Sequence, residues 1–196
     1  METDLNETLA NKKIAKENIS NKFKIKNNEP LVGIYLNKNL KKSEIELFKN
    51  IEEALRELSI NLLLLNDSDL KFSNVNKNFF NLEYNLKNRS QFLEAIDVII
   101  YLDFIDLDEI FINGVVPISL ENDRLIDYDA KSETGNAFTY EKNNVWHFLK
   151  ALIRSLETYQ FTYDWKHIVR NALNSFTGEW CRGLRFFPRR SLGSAN

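Results

Sequence analysis

The sequence predicts an α/β fold, a doubly wound parallel sheet held between two layers of helices in a three-layer α/β/α sandwich. Two observations carry this prediction. Short apolar runs, Leu31–Leu36, Ile60–Leu65, Val98–Leu102 and Val115–Ser119, are nearly continuous rather than alternating, as strands buried on both faces of a parallel sheet should be. Between them lie segments whose apolar residues recur at steps of three and four, the helical period. Strand and helix therefore alternate, and right-handed helical crossovers between parallel strands follow from that order.

Each element has its own signal. A polar opening from Asp4 to Ile19 reads as a helix leaning on the domain, with Ile14, Ala15 and Ile19 inward. The first strand follows at Leu31, then an amphipathic helix over Glu44–Leu58 carrying Phe48, Ile51, Leu55 and Leu58 on one face. Phe79–Tyr84 and Ala137–Tyr140 read as two further strands. Ser90, before Phe92, Leu93 and Ile96, marks the start of a second helix. A short helix through Leu107, Ile110 and Phe111 stops at Asn113-Gly114, because Gly accepts the left-handed conformation that ends helices. Asn144 caps a helix carrying Val145, Trp146, Phe148, Leu149, Leu152, Ile153 and Leu156. Thr162 or Asp164 caps the last one, with Trp165, Ile168, Val169 and Ala172. Trp146, Phe148 and Trp165 fall on apolar helical faces, which assigns them to core packing rather than to stacking on a sugar.

Composition narrows the function classes. With 196 residues the chain has the length of one domain with appendages, and can bury enough surface to fold without a disulfide or metal staple. Its 26 basic and 28 acidic residues nearly balance, so a globally basic nucleic-acid binder is excluded. Cys181 has no partner for a disulfide within the chain, and one Cys with two His cannot close a Cys/His zinc site. The polar, mixed-charge N-terminus is no signal peptide, and no apolar run approaches the ~20 residues of a membrane span. A cytoplasmic protein with no metal, membrane or nucleic-acid partner is expected. No GxGxxG, P-loop, GxSxG or HExxH motif is present, and His147 and His167 have no acidic or thiol neighbour in sequence.

The segment 176–196 differs from the rest. It contains no Lys, carries Arg182, Arg185, Arg189 and Arg190, and holds Gly178, Gly183 and Gly193 without any strand or helix period. A basic-aromatic tail for RNA or membrane is one reading. The abrupt change of composition favours the other, a non-native, disordered extension whose deletion leaves the melting temperature unchanged.

Several segments, taken in order, resemble the C-terminal half of the bacterial glycogen (starch) synthase family, retaining glycosyltransferases of the GT-B type. Asn11-Lys12 matches an Asn-Lys pair on the opening helix, and Pro30–Lys38 matches a PLxGxxxRL strand. Ile96–Asp103 matches A-D-V-I-x-x-P-S, and Asn113–Ser119 matches Y-G-T-x-P-V-V. Arg124–Asp127, Glu133–Phe138 and Trp165–Leu173 echo G-L-x-D-T-V, G-T-G-F-x-F and W-x-x-(L/V)-x-x-N-A-M. The likeness runs from about Asn11 to Ser175. It implies a Rossmann-like domain of the nucleotide-sugar-binding type over 30–175, preceded by a helical lead-in, 1–29, and followed by the tail, 176–196.

The resemblance also implies a site at the carboxyl ends of the strands. The family holds a sugar-nucleotide diphosphate with an Arg and a Lys in an R-L-x-x-Q-K-G loop. The Lys position is Lys42 here, or Lys41 with a one-residue slip. The Arg position is Asn37, with Lys38 beside it as a cation that lacks a bidentate fork. Where the family has E-P-C-G-L-x-Q, the chain has an acidic cluster, Asp103, Asp106, Asp108 and Glu109, which repels a diphosphate or complements a helix dipole. The T-G-G-L turn becomes Asn122–Leu125, where Arg124 replaces one Gly as a possible phosphate contact and Asp123 adds negative charge. The implied ligands are ADP or ADP-glucose, bound weakly, with no cofactor and with unassigned catalytic residues. The chain is expected to lack the acceptor half of a GT-B enzyme, with nothing before Met1 to supply it. The expected partner is thus a separate N-terminal half, and the chain alone is expected to be inactive; the alternative is a non-catalytic domain that keeps the fold.

Overall fold

The computed structural model describes residues 5–25, 29–58, 60–68, 78–102, 105–142 and 144–177. The elements are α1 (Leu5–Phe23), β1 (Leu31–Leu36), α2 (Lys42–Glu57), β2 (Asn61–Asn66), β3 (Phe79–Glu83), α3 (Leu86–Ala95), β4 (Val98–Ile100), α4 (Leu107–Ile112), β5 (Val116–Leu120), β6 (Phe138–Tyr140), α5 (Val145–Gln160) and α6 (Thr162–Asn174). All six strands pair in parallel in the order β3-β2-β1-β4-β5-β6. The expected doubly wound three-layer fold is therefore present, and β4 lies centrally between β1 and β5.

Continuous apolar runs are needed because alternate strand residues enter two different cores. Val32, Ile34 and Leu36 of β1, with Val98 and Ile100 of β4, face Phe48, Ile51 and Leu55 of α2, Phe148 and Leu152 of α5, and Ile168 of α6. Leu31 and Tyr35, with Ile99, face Phe92 and Leu93 of α3, Ile110 and Phe111 of α4, and Ile19 of α1. Burying any one of these large side chains contributes roughly 1.5–3 kcal/mol.

The helix ends show where local reading succeeds. Asn144 accepts from the His147 amide at 3.0 Å, capping α5 as expected. Gly114, at φ +59°, ends α4 with paired bonds from its own N–H to Phe111 O and from Val115 N–H to Ile110 O, at 2.9 and 3.2 Å.

Several expectations are corrected. Helix α3 starts four residues before Ser90, at Leu86, because Asn85 accepts from the Asn88 amide at 2.8 Å; its first turn is exposed and carries no apolar period. Phe161 takes the cap position of α6 without a side-chain bond, and Asp164 sits in the first turn instead of capping. Ile14 is 58% exposed rather than inward, and Trp146 is 80% exposed rather than in the core. Ile153 also faces outward.

The inward stripe of α1 is Leu5, Leu9, Lys12, Lys16, Ile19 and Phe23, a helical period with lysines at two central positions. Lys16 Nζ uses all three of its donors: Asp97 Oδ2 at 2.6 Å, Glu29 O at 2.7 Å and Tyr159 Oη at 2.9 Å. Asp97 Oδ2 also accepts from the Leu31 amide at 2.8 Å, so this pair ties α1 to the amino ends of β1 and β4. Lys12 Nζ donates to Ile96 O, at the end of α3. Phe176 packs against the second core and Thr177 bonds Asp108, so both are attached to the domain. The remainder of the tail, with Trp180 and Phe186, lies outside the described residues.

Candidate functional site

In this strand order the chain runs outward from β1 to β2 and β3, then returns to lay β4 on the other side of β1. The switch point thus lies between β1 and β4, and in doubly wound sheets generally the ligand crevice lies there, at the carboxyl ends of the strands. The segment 37–42 leaves β1 on one side. The β4 segment leads to Asp106 on the other, and the turn after β5 carries Asn122–Leu125.

Asn37 is half-buried and closes its own turn. Its Oδ1 accepts from the Asn39 amide at 2.8 Å, and its Nδ2 donates to Tyr35 Oη at 2.9 Å. Tyr35 stacks on Tyr84 with ring centroids 5.6 Å apart, and burial raises its phenol pKa. This Tyr35–Asn37–Tyr84 group was not legible in the sequence, since Tyr84 follows a strand that is two positions away in the sheet. Lys38 is exposed beyond the turn, and Lys42, also exposed, opens α2.

The acidic cluster is largely consumed by the protein itself. Asp106 caps α4 by accepting from the Asp108 amide at 2.8 Å. Asp108, only 1% exposed, accepts from Arg124 and from Thr177 Oγ1, the latter at 2.8 Å. Burial alone would raise its pKa, but the Arg124 and Thr177 bonds outweigh burial and hold the carboxyl below the usual range. Glu109 forms a bidentate pair with Arg89; burial outweighs that attraction and its pKa is raised. Asp103 lies outside the described residues. Of the two roles open to the cluster, Asp106, Asp108 and Glu109 serve the helix start and two ion pairs.

Arg124 sits near the crevice with its guanidinium on Asp108 and 5.9 Å from the Phe111 ring centroid. Meeting a phosphate would require it to share or leave that carboxylate. Arg124→Ala should lower stability by about 1–3 kcal/mol, the cost of a buried acceptor losing a charged donor. Thr177 still bonds the buried carboxylate, which limits the loss. Chemical denaturation measures it, and a variant as stable as the parent would show that the Asp108 pair is idle.

The two histidines also find places. His147 lies in the first turn of α5, and His167 Nδ1 lies 3.4 Å from Glu133 Oε2, a neighbour 34 positions away in sequence. Tyr163 donates to the same carboxylate at 2.9 Å, and its ring meets the imidazole edge-on at 4.3 Å. These groups sit at the α6 surface, away from the β1/β4 crevice. Among the described residues no group of three or more His, Cys, Asp or Glu could hold a metal ion. No described helix is long and apolar enough to cross a membrane.

No family model matches the sequence, and no curated protein matches it. Among solved structures, the catalytic domain of starch synthase IV from Arabidopsis thaliana, bound to ADP and acarbose, resembles this chain with a TM-score of 0.68. Sequence identity is 19%, and the match covers 83% of this chain and 38% of that one. At this identity the likeness establishes the fold alone, a Rossmann-like parallel sheet between two layers of helices.

Proposed function

We propose that this chain is a nucleotide-sugar-binding domain of the GT-B glycosyltransferase kind, akin to the donor half of glycogen and starch synthases, and inactive by itself. The observation that carries the reading is the β1/β4 switch point, with the exposed cations Lys38 and Lys42 after β1, in a fold shared with a starch synthase catalytic domain. Its ligand would be ADP or ADP-glucose. Lys42, at the start of α2, is the main phosphate contact, with Lys38 and Arg124 as weaker ones and Asn37 shaping the loop.

Transfer needs more than this sheet supplies. A GT-B cleft has two walls, and a single wall neither excludes water nor orients an acceptor. A separate acceptor half is the partner this reading implies, in the cytoplasm.

Magnitudes set the affinity. One charge-assisted contact contributes roughly 1.5–3 kcal/mol, whereas a millimolar dissociation constant corresponds to about 4 kcal/mol. With Arg124 on Asp108 and Asn37 in its own turn, ADP should bind at millimolar strength or weaker, and more weakly still in high salt. Lys42→Ala should weaken it about ten-fold, or ~1.4 kcal/mol. Calorimetric titration with ADP tests this. A micromolar constant that Lys42→Ala leaves untouched would place the nucleotide elsewhere.

A non-catalytic reading has one observation in its favour. Two side chains standing at altered family positions, Asn37 and Arg124, are engaged within the protein. Absence of any ADP binding, with the fold intact by circular dichroism, would select that reading. Glycogen elongation from ADP-glucose by the chain alone would overturn both.

A further inference from the structure

The exposed indole of Trp146 borders a cavity of about 360 Å³ at the edge of the sheet, beside β6 and two strands from the β1/β4 crevice. Trp146, Lys150 and Arg154 recur every four residues along α5, so one stripe of that helix lines it. The size falls within the range of small-molecule sites.

Charge decides what such a site accepts. Arg154 and Asp127 neutralise one another through an Nη1–Oδ2 bond of 2.9 Å, and Asp127 Oδ1 accepts from the β6 amide of Thr139 at 2.8 Å. This pair forms a fixed, uncharged part of the rim. Glu121, Glu141 and Lys150 also line the cavity, and none has a side-chain partner among the described residues. The remaining balance is one negative charge, which disfavours a phosphate or other polyanion. Five charged side chains in the lining, Glu121, Asp127, Glu141, Lys150 and Arg154, disfavour a lipid. Hydroxyls that donate to carboxylates and accept from an ammonium, on a ring with an apolar C–H face to lay against an indole, satisfy it.

We propose that this cavity binds a neutral oligosaccharide, with Trp146 as the stacking platform, Glu121 and Glu141 accepting from sugar hydroxyls and Lys150 donating to them. The sugar class follows from the lining. The choice of an α-1,4-glucan as probe rests on the glycosyltransferase reading above.

Native gels cast with and without glycogen test it, using the full chain beside Trp146→Ala, Trp146→Phe and Lys42→Ala, with calorimetric titration of maltoheptaose in parallel. Glycogen should retard the parent chain. Trp146→Ala should lose at least ten-fold in glucan affinity, Trp146→Phe should keep most of it, and Lys42→Ala, altered only at the proposed nucleotide site, should be retarded by glycogen as the parent is. Trp146 is a surface residue, so its replacement leaves the fold intact. No retardation of the parent, or equal retardation of Trp146→Ala, overturns the site. Glucan binding that depends on Trp146 in a chain that fails to bind ADP would sink the nucleotide reading and leave this one standing.

Discussion

Lys16→Met should lower the stability of the domain by about 3–5 kcal/mol, the cost of leaving one member of a buried ion pair uncompensated. Asp97 would keep only the Leu31 amide, while Glu29 O and Tyr159 Oη would each lose a donor. Lys12→Met on the same helix face should act in the opposite direction, stabilising by about 1–2 kcal/mol, because Lys12 bonds one carbonyl and has no carboxylate in hydrogen-bond contact. Burial pushes the Lys12 pKa down to about 8, the nearby Asp97 notwithstanding. Between pH 8 and 10.5 the unfolded chain therefore holds a proton that the folded chain has released, and stability rises with pH by about 3 kcal/mol from this group. For Lys16 burial is outweighed by Asp97 and Tyr159, and its pKa is raised. Its contribution is complete below the ordinary Lys pKa and is lost as pH climbs through the raised value. Denaturation of the parent and Lys12→Met from pH 7 to 10 isolates the first effect, since other titrations cancel in the difference. A parallel pair of pH profiles would show that Lys12 is not desolvated as described.

Gly135→Ala should cost about 2–4 kcal/mol, combining backbone strain with overpacking. Gly135 lies at φ +97°, where a side chain is strained, and a Cβ there would overlap the carbonyl of Asp127 and approach Tyr128 Cα to 2.6 Å. The loop cannot relax freely. Asn171 Nδ2 holds Glu133 O and Gly135 O, each at 2.9 Å, and buried Asn136 bonds the Ile126 amide, Arg124 O and Ser175 Oγ. The loss should appear as a lower denaturation midpoint at unchanged slope. A change below 0.5 kcal/mol, the usual range for a surface substitution, would mean that the loop moves aside.

The strands were legible because a parallel sheet covered on both faces demands continuous apolar residues, and few other structures place Leu31–Leu36 or Asn61–Asn66 beside amphipathic helices. Caps that act within one turn, Asn144 and Gly114, were legible for the same local reason. The positions that local pattern does not settle share a different property. Lys12 and Lys16 are buried because a carbonyl and a carboxylate more than eighty positions away meet them, and a sequence pattern ranks lysine as outward. Trp146 sits on an apolar period yet faces out, because β6 is the edge strand and, among the described residues, no further strand extends the sheet beneath that stripe of α5. Sequence alone thus determined the layers and the local caps at Asn144 and Gly114, and it pointed to the carboxyl ends of the strands as the place to seek a ligand. Only the tertiary structure decided which charges are available there. Asp108 finds Arg124 and Glu109 finds Arg89 across 16 and 20 positions, and whether a charge is free to meet a ligand depends on partners that the fold alone brings within a few ångströms.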